Sequence, residues 1–466
     1  MVTRLLLVLA LQGLVFANQG GLSLSIDEGF INTVGQYLAI LAVGALQDLN
    51  AGNFSASIDL GGMSGDANIT DLTISNTSLD FMGSSLTVEA PNLLRANLSR
   101  MSTHLDFGLS MNVGIGPMAG QATLDIDELN LSVGILVYKD SNESLSVDVQ
   151  GIDFSFKDMT FNSTINPFIT NLIQNFIDNY LTPTELESLI RMALPAVNSL
   201  LESIPYDQTL SLLGTDFGFN LHPSTNATVS GSFFSIGING AVTNATDQQP
   251  FTPYEPSELP KSVGIDYPIQ AFLSEYAIKS LLLGVPHLEI TSLPKSFPIK
   301  LTTDGIKFLI PELQEKYGSG KKVKFLVTPD HSKSSMQIKN NMTLTAPMEL
   351  GIWVQDGDWI EALDLELTLD ADLWVKLSDS KVRLFFNKFS MFDLSYKNSK
   401  LDNLDWQELK ELLIGMCRIL ISQVNSPSSS FSFELPKIPY VKIKGDEGYL
   451  QDNYMVLGID AEVSIF

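Results

Sequence analysis

The residues able to do acid–base, nucleophilic or metal chemistry are few and scattered in this chain. His104, His222, His287 and His331 have no partner at ligand spacing, which leaves a zinc site or a histidine general base without its second member. Ser64 lies among glycines between Gly61 and Gly65, but the spacing is not that of a Gly-x-Ser-x-Gly nucleophile turn, and the stretch reads as a hairpin. Three acidic sets lack calcium-loop spacing: Asp125, Asp127 and Glu128; Asp356 and Asp358; and Asp364, Glu366, Asp370 and Asp372. The last set alternates with leucines and reads as the wet face of one strand. Cys417 falls on the apolar side of a helix without an activating base or cation, and reads as a buried thiol. As the only cysteine it can form no intramolecular disulfide. No catalytic constellation, metal site or cofactor is expected, so the chain does not read as an enzyme.

Composition narrows the class further. At 466 residues the chain needs two hydrophobic cores, and 44% hydrophobic content argues against disorder. Only 17% of residues are charged, which leaves much apolar surface to place. The net charge is −25, and between Asn18 and His222 the only basic residues are Arg95, Arg100, Lys139, Lys157 and Arg191. Nucleic acid is therefore excluded as an electrostatic partner, and the first half opposes an anionic membrane. Arg4, the apolar run Leu5 to Val15 and small residues at Val15 and Ala17 predict a signal peptide over 1–17 and a secreted, extracellular mature chain. Glycosylation triplets at Asn53, Asn68, Asn76, Asn97, Asn130, Asn142, Asn162, Asn226, Asn244 and Asn341 fit that route. No later stretch is apolar enough to span a bilayer, so the mature protein is expected to be soluble.

The elements that position these residues follow a plan stated twice. Ser25 and Glu28 read as a capping box, opening a helix with Phe30, Val34, Tyr37, Leu38, Leu41 and Ala45 on one side and Ile31, Ile40 and Val43 on much of the other. A helix so apolar is expected to be buried on several sides. From Phe54 to Phe161 the period changes to two, predicting an antiparallel meander. Helix returns at Phe168 to Tyr180 and, after the capping box Thr182-Pro183-Thr184-Glu185, at Leu186 to Leu201. The four prolines of Pro250 to Pro260 exclude a regular helix or central strand and mark a joint. Beyond it, Ile269, Phe272, Leu273, Tyr276, Ala277, Ser280 and Leu281 predict a second long helix, ending near Gly284 and Pro286. Alternating leucines from Leu363 to Leu377 predict a strand about three times the usual length. Leu409, Leu412, Leu413, Met416 and Leu420 predict a last helix, followed by strands at Tyr440 to Ile443 and Met455 to Ile465. The boundaries drawn are 1–17, 18–245, 246–262 for the linker and 263–466.

Several segments resemble the family of bactericidal permeability-increasing protein, lipopolysaccharide-binding protein and the cholesteryl ester and phospholipid transfer proteins. Leu273-Ser274-Glu275-Tyr276 is similar to that family's Leu-Ser-Asp-Tyr, Lys300-Leu301-Thr302-Thr303 to its Leu-Thr-Thr strand, and Leu309-Ile310-Pro311-Glu312-Leu313 to its Leu-Pro-Glu stretch. Phe431-Ser432-Phe433-Glu434-Leu435-Pro436 resembles the Gly-Phe-Pro-Leu-Pro turn before the terminal strands, and the proline-rich linker matches too. The resemblance implies an α+β boomerang: two elongated barrel-like domains, each a twisted antiparallel sheet wrapped around a long helix, joined by a central sheet. It also implies apolar pockets for lipid acyl chains. Two departures stand out: the family's disulfide in the N-terminal barrel is missing, and the first half lacks the basic tip of members that capture lipopolysaccharide.

A secreted lipid-binding or lipid-transfer protein for phospholipid or neutral lipid is the function these readings imply, with a transient membrane or lipoprotein surface as partner. The inward-facing candidates are Phe30, Val34, Leu38 and Leu41 in the first half and Phe272, Tyr276 and Leu283 in the second. The same residues also fit an ordinary core. Two alternatives stay open: a lipopolysaccharide or anionic-lipid binding defence protein, and an interaction glycoprotein with filled pockets. Sequence leaves the oligomeric state undetermined.

Overall fold

The computed structural model describes residues 21–46, 49–50, 54–59, 64–113, 116–165, 167, 170–171, 173–174, 191, 194–204, 206–212, 215–244, 258–283, 288–292, 300–330, 332–378, 381–401, 404–405, 407, 409–411, 413–415, 425, 432–434 and 441–463. The expected signal peptide, most of the 168–193 helical region, Pro250 to Ser257, Cys417, His287 and His331 lie outside these residues. Sheets are antiparallel throughout, with few helices among them, as the α+β reading expects.

At the centre is a six-stranded sheet drawn from both halves of the chain. Its order is Thr228–Ser230, Phe233–Ile238, Leu22–Asp27, Ile269–Ser274, Tyr454–Val463, Val441–Gln451. The two middle strands run antiparallel, with Leu22 opposite Leu273 and Ile26 opposite Ile269, and each leads straight into a helix, Glu28–Leu46 or Glu275–Leu283. Each has the last hairpin of its own half on its outer side, so the sheet has approximate two-fold symmetry.

This corrects two local expectations. Ile269 to Ser274 is a strand, and the second helix spans only Glu275–Leu283 among the described residues. Ile269, Phe272, Leu273 and Tyr276 satisfy a helical spacing, but in mid-sheet Ile269, Gln270, Phe272 and Ser274 are all buried, as a strand covered on both faces demands. The cap of the first helix is also different. Ser25 stays in its strand and its hydroxyl pairs with that of Ser235 at 2.8 Å. Asp27 caps instead, its Oδ1 accepting from the Gly29 N–H at 2.8 Å.

Each half adds a large sheet built on three very long strands. In the first half these are Ser64–Glu89, Leu93–Val113 and Gly116–Lys139, continued by Leu145–Ser155, which is the predicted meander. In the second they are Met342–Asp356, Asp358–Ser378 and Lys381–Ser399; the middle one is the long leucine-alternating strand. One hydrophobic cluster joins the halves, from Ile26, Leu86, Val133 and Val197 to Met336, Met342, Leu373 and Met455.

The linker's end is fastened to the central sheet. The fully buried Gln270 accepts from the Val263 N–H through Oε1 at 2.9 Å and donates through Nε2 to the carbonyls of Val263 and Ile265. Ser235 donates to Lys261 O at 3.1 Å.

Candidate functional site

Side chains from helices close both edges of the first-half sheet. On the first helix, Glu28, Asn32 and Gln36 recur every four residues and form one stripe. Glu28 Oε1 accepts from the Val88 N–H at 3.1 Å, Asn32 Oδ1 accepts from the Leu86 N–H at 3.0 Å, and Gln36 Nε2 donates to Ser84 O at 3.2 Å. They satisfy the edge of strand Ser64–Glu89 over residues 84–88, beyond the stretch that pairs with Phe54–Asp59 and Leu49–Asn50. Gly35 permits the approach, because a Cβ there would lie 2.5 Å from that of Leu86. At the opposite edge, Asn198 of helix Leu194–Glu202 takes both backbone groups of Val147, at 2.8 and 3.1 Å. Of the described side chains of the first helix, Ile31, Val34 and Ala39 are buried and Gly29 and Thr33 are exposed; those of Leu38, Ile40, Leu41, Val43 and Ala45 lie outside the described residues.

Between these edges the inner face of the sheet is mostly apolar, interrupted by Thr103 opposite Ile126, whose hydroxyl bonds that of Thr77 at 3.0 Å, and among the described residues its buried clusters lie at its two ends. Near the central sheet Leu94, Ala96, Val133 and Ile135 are buried. At the far end Phe107, Leu109, Met111, Ala122 and Phe161 form a second cluster. In the middle Leu98, Met101, Ile126 and Leu129 are only partly buried and belong to neither cluster. Leu131 on one side, and Leu105 and Leu124 on the other, continue the partly buried strip. The result is an apolar trough.

Two β-bulges keep this trough apolar. Leu98 to Met101 and Ile126 to Leu129 are three residues apart, so plain alternation would turn one member of each pair to solvent. Arg100 and Glu128 are the inserted residues, each at a φ of 48°, and the register shifts at both points. Met101 therefore pairs with Leu129 and Leu98 with Leu131, on the face that carries both clusters. Each bulged amide finds a side chain: Arg100 N–H donates to Asn130 Oδ1 at 3.0 Å, and Glu128 N–H to Ser102 Oγ at 3.1 Å.

The outer face is charged and cross-linked. His104 contacts Asp125 at 2.5 Å through Nδ1 and Asp106 at 3.2 Å through Nε2. The hydrogen bond to Asp125, with the negative charges of Asp125 and Asp106, lifts its imidazole above the ordinary histidine value. Lys157 bridges Asp127 and Glu128 at 3.3 and 3.2 Å. Among the described residues no cluster of His, Cys, Asp and Glu is arranged to hold a metal ion.

The residues predicted to line a pocket fall in different places. Val34 is buried in the first helix and Phe30 is partly buried against the shared core. The side chains of Leu38, Leu41 and Leu283 lie outside the described residues, although their backbones are helical. Phe272 is buried with Leu259 and Val456 beneath the linker, its ring 6.0 Å from that of Tyr454, and so is apart from the first helix. Tyr276 is half-buried, and loss of solvent raises its phenol above the usual range. Beside that linker, Glu258 to Lys261 and Asp452 to Tyr454 line an open cleft of about 380 Å³, as polar as it is apolar. Among the triplets, Asn68, Asn76, Asn130, Asn142, Asn162, Asn226 and Asn341 are exposed and Asn97 is half-buried; Asn53 and the side chain of Asn244 lie outside the described residues. The trough residues themselves escaped the sequence reading, which placed ligand contacts on helices. Their signal was the break in alternation at Leu98 to Met101 and Ile126 to Leu129.

No family model matches this chain, and no curated protein does. Among solved structures, the crystal structure of lipopolysaccharide binding protein is 18% identical, covering 96% of this chain and 100% of its own, with a TM-score of 0.49. Takeout 1 of Epiphyas postvittana is 13% identical over 34% of this chain and 81% of its own, with a TM-score of 0.24. P47 of Clostridium botulinum E1 is 11% identical over 95% and 100%, with a TM-score of 0.26.

Proposed function

We propose that this is a secreted lipid-binding or lipid-transfer protein, a boomerang of two elongated barrel-like domains, in which the trough of the first half holds acyl chains of phospholipid or neutral lipid. The observation that carries the reading is the strip from Leu98 to Leu105 and from Leu124 to Leu131, largely apolar with Thr103 within it, partly exposed and flanked by buried clusters. An acyl chain leaving a bilayer loses about 0.8 kcal/mol per methylene, on the order of 10 kcal/mol per chain, unless an apolar surface replaces the bilayer. The trough supplies such a surface without charge. The acidity of the surrounding half favours zwitterionic or neutral lipid over anionic lipid.

The second half supports a different reading of its own core. Ile352, Val354, Leu363, Leu365, Ala371, Leu373 and Val375 are all buried on its long strands, which favours a filled interior there. Native mass spectrometry of the purified full chain, with uptake from zwitterionic vesicles, tests the proposal. Bound lipid is expected, and Leu105→Asp with Ile126→Asp should abolish it while the circular dichroism spectrum is kept. Lipid-free wild-type protein that takes none up would overturn the reading in favour of a glycoprotein with filled pockets.

A further inference from the structure

One end of the second-half sheet has a surface unlike the rest of the described surface. Residues 300–324 fold over that end: Thr302 bridges Lys322, Thr303 N–H donates to Lys321 O at 2.8 Å, and Gln355 N–H donates to Lys322 O at 2.9 Å. Ile306, Ile310 and Leu313 turn inward and are buried. That inward commitment leaves Lys307 and Phe308 facing water, and Phe308 is 54% exposed.

Phe308 differs in its neighbours from the two other large apolar side chains exposed among the described residues, Met82 and Tyr396. Asp80 curls around the loop of Met82, and the lysine next to Tyr396, Lys397, is held by Glu349. In the same cap Lys300, Lys307 and Lys322 are exposed and have no carboxylate partner among the described residues. Segment 300–324 holds six lysines against Asp304, Glu312 and Glu315, in a chain of net charge −25. Asp304 is engaged by Gln314 and Ser319, and the nearby Asp356 by Lys321 at 2.6 Å. Two tryptophans stand behind the cap: Lys324 lies 4.7 Å from the Trp359 ring centre and 5.7 Å from that of Trp353, and it pairs with Glu289 at 3.2 Å. None of the ten glycosylation triplets falls within 300–324.

We propose that this cap is a docking surface for an anionic lipid membrane, with Phe308 entering the headgroup layer and Lys300, Lys307 and Lys322 meeting acidic headgroups. An exposed aromatic ring beside unpaired ammonium groups matches the two attractions that hold a protein at such an interface, apolar burial and Coulomb attraction to anionic lipid. The acidity of the first half does not cancel this. Leu344 on strand Met342–Asp356 still belongs to the shared core, and at ~3.3 Å per residue the run from there to Gln355 sets the cap about 35 Å from that core. That is several times the ~8 Å screening length of physiological salt. The inference does not rest on the lipid-holding trough: docking concerns the bilayer surface, and cargo concerns a single chain taken from it.

Co-sedimentation of the full chain with phosphatidylcholine vesicles, with and without phosphatidylserine, tests it. Binding is expected to need phosphatidylserine and to weaken as salt rises. Lys307→Glu and Lys322→Glu should each lower partitioning by about fivefold or more, and Phe308→Ser should lower it at every salt concentration. Lys388→Glu, an exposed lysine on strand Lys381–Ser399, makes the same change in net charge and should have little effect. Absence of binding to phosphatidylserine vesicles at low salt would overturn the proposal, as would an equal loss with Lys388→Glu. Native mass spectrometry of the same variants keeps the two ideas apart, because bound cargo should be unchanged.

Discussion

Asn130 carries two separate meanings, one structural and one chemical. Its side chain accepts from the bulged Arg100 amide at 3.0 Å and donates to Glu128 O at 3.3 Å, so it fastens both bulges that shape the trough. It also opens the triplet Asn130-Leu131-Ser132. Asn130→Ala leaves the exposed Arg100 N–H to water and should cost about 0.5–1 kcal/mol in urea denaturation, while Ser132→Ala removes the triplet and should cost much less. Equal losses would mean that a glycan, and not the bulge, is what matters. His104 gives a pH signature on the opposite face. Its folded-state pKa is raised by the hydrogen bond to Asp125 and the charges of Asp125 and Asp106. The resulting stabilisation is fully present below the unfolded histidine value and is lost as pH rises through the folded one. His104→Gln should therefore cost up to about 1 kcal/mol near pH 5.5 and little near pH 9. A loss independent of pH would show that the imidazole acts by packing alone.

At the scale of elements, side-chain amides do what further strands would do. Asn198 holds both backbone groups of Val147, and in the second half Asn425 holds both of Phe386, at 2.9 and 2.8 Å. Asn198→Ala leaves a donor and an acceptor unpaired at a partly buried edge and should cost about 2–3 kcal/mol, with faster hydrogen exchange at Val147 than at Val133 in mid-sheet. Unchanged exchange would show that this edge is closed by something else. This device was not legible in the sequence, where Asn198 reads as one polar residue in an apolar helix. Strand Asp358–Ser378 was legible, because its leucines alternate without a break and one register alone buries them. The junction at Ser274 and Glu275 was not, since Ile269, Phe272, Leu273 and Tyr276 fit a helix as well as a doubly buried strand. For the candidate site the helix face was read and the sheet face was missed. Arg100 and Glu128 interrupt the alternation that would have joined Leu98 to Met101 and Ile126 to Leu129.

Across the whole molecule, the two halves share too much to come apart cleanly. Strand Leu22–Asp27 has Ile269–Ser274 as its neighbour, and one cluster runs from Val133 and Ile135 to Leu373 and Val375. Separating the halves would expose that cluster and leave two central strands with unpaired edges, at about 25 cal/mol for each Å² of apolar surface uncovered. Gln270 and Ser235 also hold the linker's end against the sheet. The two halves are therefore one continuous body, and the integrity of the linker should matter little once folding is complete. A protease site inserted between Pro250 and Ser257, cut after purification, should leave both fragments co-eluting on size exclusion and unfolding in one transition within a few degrees of the intact chain. The 18–245 fragment expressed alone should behave differently, because Leu22–Asp27 then has a bare edge and the cluster lacks its second-half side chains. It should aggregate or bind a hydrophobic dye strongly. Fragments that separate without denaturant, or an 18–245 piece that is monomeric and melts cooperatively, would make the halves independent domains and place the shared cluster outside what holds either of them together.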